Sequence, residues 1–470
     1  MKDFKLLING RLVPGVGSLD VINPATEEVV AVCPTADEGQ LNEAVAAAKA
    51  AFPAWSKRPL KERAGYLNKL AEAMMARQEE FARLLTQEQG KPLPMAMWEV
   101  GGTAAGLQYF AGLELPEKVL KDDADTKIIL QHVPLGVVAA ITPWNFPLIL
   151  LSIKVGPGLL AGNTMVCKPA PTTPLTTLLF GEIAADILPP GVLNIIADKN
   201  DLGGKMTAHP DIAKVAFTGS TATGKKVMAS AASNLKRITL ELGGNDAAII
   251  LDDMDPKEVA PKIFGGATIN SGQVCLAIKR VYAPESMYDA LCDELGKLAN
   301  EAILGDGLEQ GTQLGPIQNK MQYEKVKEFL EDGRKNGKIV AGGVLPDRKG
   351  YFIPPTIVRD IPDDSRLVRE EQFGPILPIL SYTDVNDAIE RANDSEYGLG
   401  GTVWTKDLDR GYEVASQVLS GTIWVNKHLD LPFDVPFGGA KQSGIGAEYG
   451  QEGLEEFTQA KTVNIAKHAW

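Results

Sequence analysis

Two short stretches carry the residue types from which covalent catalysis is built. Residues 265–280 read Gly-Gly-Ala-Thr-Ile-Asn-Ser-Gly-Gln-Val-Cys-Leu-Ala-Ile-Lys-Arg and set one thiol, Cys275, among small residues. Upstream, Leu-Glu-Leu-Gly-Gly-Asn at 240–245 sets a carboxylate, Glu241, at the mouth of a Gly-Gly turn. The thiolate, not the thiol, is the nucleophile, so a carboxylate that takes its proton makes the pair a candidate nucleophile and base. Other chemistries are thinly supplied. The chain has four histidines, too few to favour a histidine-based triad, and its cysteines (Cys33, Cys167, Cys275, Cys292) are scattered with no CxxC pair. Neither a metal site nor a disulfide framework is expected, and a reducing cytoplasm fits.

These residues need a scaffold, and the pattern supplies one. From about 136, short apolar strands alternate with helices: strands at 137–141, 164–168, 193–197 and 214–218, and helices at 173–187, with Pro174 in the first turn, and at 221–232. That alternation predicts a parallel sheet with both faces covered. It resumes after about 247, which predicts a second α/β domain. Ala/Leu/Glu/Lys-rich residues 38–52 and 60–88 read as helices, the second preceded by Pro59. Residues 125–133 read as an extended arm. A length of 470 residues suffices for two or three domains. A net charge of −13 without a basic cluster argues against nucleic acid as a partner. The N-terminal stretch lacks a signal-peptide apolar core, and no 18-residue apolar run suggests a membrane span.

Further motifs fall at strand ends. Pro143-Trp-Asn-Phe-Pro147 follows the strand 137–141, and two prolines there fix a rigid turn. A carboxamide held at Asn145 is placed to donate to a developing oxyanion. Phe217-Thr-Gly-Ser-Thr-Ala-Thr-Gly-Lys-Lys226 runs from a strand into a helix, as a phosphate cradle does. It nearly satisfies the P-loop pattern, but Lys226 stands where that pattern needs a hydroxyl for Mg²⁺.

Taken in order, these motifs resemble the NAD(P)-dependent aldehyde dehydrogenase superfamily, hydrolytic branch. Glu370-Glu-Gln-Phe-Gly-Pro375, Ile22-Asn-Pro-Ala-Thr26 and Lys461-Thr-Val463 extend the likeness over nearly the whole chain. The resemblance implies two Rossmann-like α/β domains plus a small β oligomerisation arm. Residues 1–119 and 135–245 would form the dinucleotide-binding domain, 246–443 the catalytic domain, and 120–134 with 459–470 the arm of a homodimer or homotetramer. It implies oxidation of an aldehyde to the acid with NAD, NADP being open. Cys275 would attack the aldehyde, Asn145 would hold the oxyanion, Glu241 would activate water against the thioester, and Lys154 would relay protons. Cofactor contacts are implied at Thr142, Trp144, Lys168, Gly219, Ser220, Gly243, Glu371 and Phe373. CoA-acylating relatives generally lack the base, so Glu241 favours hydrolysis.

The chain departs from the family pattern in three places. Pro171 stands where many NAD-preferring relatives carry the ribose-binding Glu, so that carboxylate is expected to be absent. Gln459 stands where a relay acid is expected, and Gln cannot take a proton. Ala447 replaces a usual Arg, a change read as structural. Positions implied for the substrate tunnel are Leu150, Ile153, Ile269, Val274, Leu276, Leu431 and Phe437, aliphatic apart from Phe437, which fits medium-chain aliphatic or aromatic aldehydes. A semialdehyde dehydrogenase is the nearest alternative, although the loop 427–436 carries Asp430 and Asp434 but no Arg to pair a distal carboxylate. For betaine aldehyde the sequence offers little of an aromatic box. A catalytically silent structural relative is opposed by the intact Cys275, Glu241 and Asn145.

Overall fold

The computed structural model describes residues 2–468. Its largest sheet has eight strands in the order Gly444–Ile445, Arg237–Glu241, Ile212–Thr218, Val137–Ile141, Thr164–Lys168, Leu193–Ile195, Leu6–Ile8, Arg11–Val13. The five from Arg237–Glu241 to Leu193–Ile195 are parallel. Their near-continuous apolar sequences follow from burial on both faces: Val137–Ile141 and Thr164–Lys168 are buried at every residue. Starting at Val137–Ile141, the chain builds outward through Thr164–Lys168 and Leu193–Ile195, then returns to add Ile212–Thr218 on the other side. The strand order therefore reverses between Val137–Ile141 and Ile212–Thr218. At such a point the loops leaving neighbouring strands diverge and open a crevice at the carboxyl ends.

A second, seven-stranded sheet runs Lys338–Ala341, Thr356–Arg359, Ile376–Tyr382, Ile278–Pro284, Asp246–Ile250, Gly400–Trp404, Thr422–Val425. All neighbours are parallel except at the edge strand Lys338–Ala341. Two apolar clusters pack on its two faces, one around Phe329 and Ile376, the other around Leu291 and Ile379.

The segment expected as an arm forms the middle strand, Thr126–Pro134, of a three-stranded antiparallel sheet. It pairs with Lys118–Asp122 on one side and over nine residues with Thr458–Ala466 on the other. Lys118–Asp122 is exposed throughout, and no residue of Thr126–Pro134 is fully buried. Residues 469–470 of the expected arm lie outside the described residues.

Most elements fall where the sequence places them. The expected helix at 60–88 is instead two helices, Leu60–Met75 and Gln78–Gln89, broken at Ala76–Arg77. The strand at 193–197 is shorter, Leu193–Ile195, and the one at 214–218 starts earlier, at Ile212. No helix of the described residues is long and apolar enough to cross a membrane.

Candidate active site

The carboxyl ends of the parallel strands bring four of the sequence motifs together. Ile141 leads into Thr142–Phe146, Lys168 ends its strand, Thr218 leads into Gly219–Ser220, and Glu241 ends its own. The second sheet meets this edge with the amino ends of its strands. Cys275 precedes Ile278–Pro284, and Glu371 and Phe373 precede Ile376–Tyr382. The cleft between the sheets thus collects residues far apart in sequence because each motif sits at a strand end.

The Cys275 loop is held in an unusual conformation. Asn270, Ser271 and Gly272 are all left-handed, at φ 50°, 55° and 74°. A left-handed run of L-residues is strained by roughly 1–2 kcal/mol per residue, so the surroundings must over-determine it. Asn270 Nδ2 donates to the Asn145 carbonyl at 3.2 Å, Ser271 Oγ to the Gly315 carbonyl at 2.7 Å, and Gln273 Nε2 to Asn270 and Pro316. Beyond the thiol, the Lys279 ammonium donates to the carbonyls of Val274 at 3.0 Å and Cys275 at 2.5 Å. Lys279 also lies 3.6 Å from Glu371. Burial pushes the Cys275 thiol up to about 12, an effect the Lys279 charge opposes and the carboxylates of Glu371, Asp246 and Glu241 reinforce. A thiol raised in this way needs a base to become the attacking thiolate.

Glu241 has the properties of that base. Its side chain is 3 % exposed, and among the described residues neither carboxylate oxygen has a hydrogen-bond partner. Burial first, then the nearby Glu448 carboxylate, raise its pKa well above the ordinary value, while Lys154 pulls it down. A carboxylate so destabilised gains most by accepting a proton.

Asn145 is buried, and its Nδ2 donates to the Gln273 carbonyl at 3.0 Å, which binds it to the Cys275 loop. Lys154 is fully buried on the helix Ile149–Leu160. It bonds Thr218 Oγ1 at 2.7 Å and forms an ion pair with Glu448. This corrects the reading of Gln459. Gln459 lies on the exposed strand Thr458–Ala466 and accepts from Arg237 at 2.6 Å, outside the buried cluster. The acid beside Lys154 is Glu448, next to Ala447, which no local sequence motif marks.

The expected cofactor residues form one edge of the cleft. Trp144 and Phe373, from opposite sheets, meet edge to face with ring centroids 5.3 Å apart. Glu371 Oε1 accepts from the Gly244 amide at 3.0 Å, and a Cβ at Gly243 would collide with the same carboxylate. Among the described residues Thr142 Oγ1 is buried without a partner. Ser220 caps the helix Thr221–Ala231, whose first turn is an anion site by its orphan amides. The Gly219 amide is not among them, since it donates to the Glu241 carbonyl at 3.0 Å. An orphan hydroxyl, a helix N-terminus and an acid along one cleft edge fit a dinucleotide. Lys168 Nζ bonds Asp198 Oδ1 at 2.7 Å, and Asp198 is fully buried in this ion pair.

The expected tunnel residues separate into two groups. Leu150, Ile269 and Leu431 are partly exposed apolar side chains, whereas Ile153, Leu276, Val274 and Phe437 are buried, Ile153 and Leu276 at 1 % and 2 % exposure. Leu276 is turned away, its Cδ2 2.7 Å from where Gly400 would carry a Cβ. Phe437 belongs to a cluster of aromatic side chains. Phe433 stacks on Tyr109 with centroids 5.9 Å apart and meets Tyr449 at 5.4 Å, and Tyr449 meets Phe437 at 6.0 Å. Phe433 reaches between two helices because Gly106 leaves room: a Cβ there would lie 3.1 Å from Phe433 Cε1 and from Ser152 Oγ.

Comparison with known proteins agrees with this geometry. Residues 13–463 match the aldehyde dehydrogenase family. The chain is 38 % identical to the phenylacetaldehyde dehydrogenase of Pseudomonas fluorescens, covering 98 % of this chain and 96 % of that one. It is 38 % identical to the chloroplastic betaine aldehyde dehydrogenase of Beta vulgaris, over 96 % and 94 % of the two chains. The structure superposes on the NAD+ complex of an aldehyde dehydrogenase from Bacillus cereus with a TM-score of 0.97 and 38 % identity, covering 99 % and 97 %. The chain belongs to the aldehyde dehydrogenase family and oxidises aldehydes with NAD(P).

Proposed function

We propose that Cys275, Asn145 and Glu241 carry out the oxidation as nucleophile, oxyanion donor and base, with Lys154 and Glu448 draining the proton. The observation that carries this reading is the unpartnered, buried Glu241 carboxylate with its raised pKa. A proton leaving Cys275 frees the thiolate to attack the aldehyde carbon. The developing oxyanion is held by Asn145 Nδ2 and the Cys275 amide. Thr142, Trp144, Lys168, Ser220, Gly243, Glu371 and Phe373 would hold NAD(P), which when bound accepts the hydride and leaves a thioester on Cys275. Glu241 then takes a proton from water, and the hydroxide equivalent displaces Cys275 from the acyl group. The Lys154–Glu448 pair, in a cluster with Glu241, gives that proton a route away.

For the substrate, the Tyr109–Phe433–Tyr449–Phe437 wall with Leu150, Ile269 and Leu431 supports an arylalkyl or medium-chain aliphatic aldehyde. A second reading, a cationic aldehyde, is favoured by the carboxylates of Asp434 and Glu452 near the Tyr109 hydroxyl. Turnover of phenylacetaldehyde, octanal, succinate semialdehyde and betaine aldehyde, each with NAD and NADP, tests both. The highest kcat/KM is expected for phenylacetaldehyde. A preference for betaine aldehyde would select the second reading, and one for the semialdehyde would overturn both. The exposed three-stranded sheet, with Val119, Leu120 and Ile465 turned outward, supports assembly into a homodimer or larger. The four free cysteines suit a reducing cytoplasm.

A further inference from the structure

We propose that the buried ion pair Lys91–Glu99 is the positioning element of the oxyanion site. The proposal rests on Asn145 being the oxyanion donor.

Both side chains are 0 % exposed. The Lys91 ammonium has three donors, and each has an object: the Glu99 carboxylate, the Asn145 backbone carbonyl at 2.8 Å, and the face of Phe146 with its centroid 3.7 Å away. Glu99 Oε1 in turn accepts the amides of Leu148 at 3.0 Å and Ile149 at 3.4 Å. Those amides open the helix Ile149–Leu160, which carries Lys154. The pair therefore grips the 145–149 turn at both ends, through the carbonyl of Asn145 and the start of the next helix.

The same turn is tied to the nucleophile. The Asn145 carbonyl also accepts from Asn270, and its carboxamide donates to Gln273. The Lys91 turn and the Cys275 loop share a backbone support. Gly90, at φ 97°, packs against Pro316, and Gly315 and Pro316 accept from Ser271 and Gln273.

A buried ion pair is a poor means of stabilising a fold, because the desolvation of two charges offsets most of their attraction. Its strength is direction. Here every direction converges on the backbone that aims the Asn145 carboxamide. Glu99→Gln keeps size and one acceptor oxygen while removing the charge, so it should loosen that aim without opening a cavity.

The test is a cycle of wild type, Glu99→Gln, Asn145→Ala and the double variant. Each is mixed rapidly with NAD and C1-deuterated or protiated phenylacetaldehyde, and cofactor affinity is measured separately. Glu99→Gln should slow single-turnover nicotinamide reduction about tenfold or more, as a displacement of reacting groups by a fraction of an ångström does. Its cofactor Kd should stay unchanged. On the Asn145→Ala background the substitution should add nothing, because the donor it aims is gone. Equal slowing in both backgrounds, or an unchanged rate in the single variant, overturns the proposal. If Asn145→Ala itself leaves the rate intact, the oxyanion assignment falls and the proposal with it. Should Glu99→Gln fail to fold, Lys91→Arg, which keeps the charge but changes the donor geometry, goes through the same cycle with the same outcomes.

Discussion

The two ends of the proposed substrate site are built differently. At the chemical end, Cys275, Glu241, Asn145 and Lys154 sit at or near strand ends and in one buried helix; hydrogen bonds hold Asn145 and Lys154 in place, while the Glu241 carboxylate has no partner among the described residues. At the tail end, the wall comes from the 427–437 loop, Tyr449 and Tyr109, and its contacts are ring on ring. The first arrangement admits one geometry, and the second admits any apolar group of about the right size. In the proposed reading, chemistry is set by a rigid strand edge, and specificity by a loop that substitutions can reshape without disturbing it.

The largest predicted effect separates the ends completely. Cys275→Ala should abolish oxidation of every aldehyde while leaving cofactor binding, followed by quenching of protein fluorescence, near normal. Next, Glu448→Gln should slow turnover at the deacylation step by about a hundredfold, at the low end of the range for proton-transfer groups, with no change in the hydride phase. Gln459→Ala should stay within about twofold of wild type, because its partner Arg237 is at the surface. Comparing the two variants in the same stopped-flow experiment decides which residue belongs to the relay.

The chemical end was legible in the sequence because each residue is carried by a local motif at a strand end. The Cys275 and Glu241 stretches, the 143–147 turn and the strands Val137–Ile141 and Thr164–Lys168 all stood out. The tail end was not legible. Tyr109 lies on the helix Leu93–Ala111, Phe433 in a loop and Tyr449 at a positive φ of 60°, and nothing local joins them. Glu448 escaped for a related reason. Its role depends on meeting Lys154, from the helix Ile149–Leu160 almost three hundred residues earlier. Asp198, the buried partner of Lys168, is a third case: it comes from after the next strand, where no local motif marks it.

At the tail end the effects should be smaller and selective. Tyr449→Leu should raise the KM for phenylacetaldehyde by roughly tenfold, in line with about 0.5–1.5 kcal/mol for an aromatic pair. The KM for octanal should move less, since alkyl chains gain little from a ring. Equal effects on both aldehydes would mean that Tyr449 acts on the fold and not on the substrate.

The pH dependence follows from the sign of the Glu241 shift. Its pKa lies above the ordinary carboxylate value, so the proton-accepting form is lost at a higher pH than for an exposed Glu. Deacylation-limited turnover should fall with decreasing pH at an inflection above the usual carboxylate range, and Glu241→Gln should lack that inflection.

The most direct measurement of the central claim is the mass of the enzyme itself. Glu241→Gln, mixed with NAD and phenylacetaldehyde and quenched after one turnover, should carry an acyl group on the peptide containing Cys275, with reduced nicotinamide equal to the number of sites. Unmodified Cys275 together with turnover at the wild-type rate would contradict both the thioester and the role of Glu241 as the base that removes it.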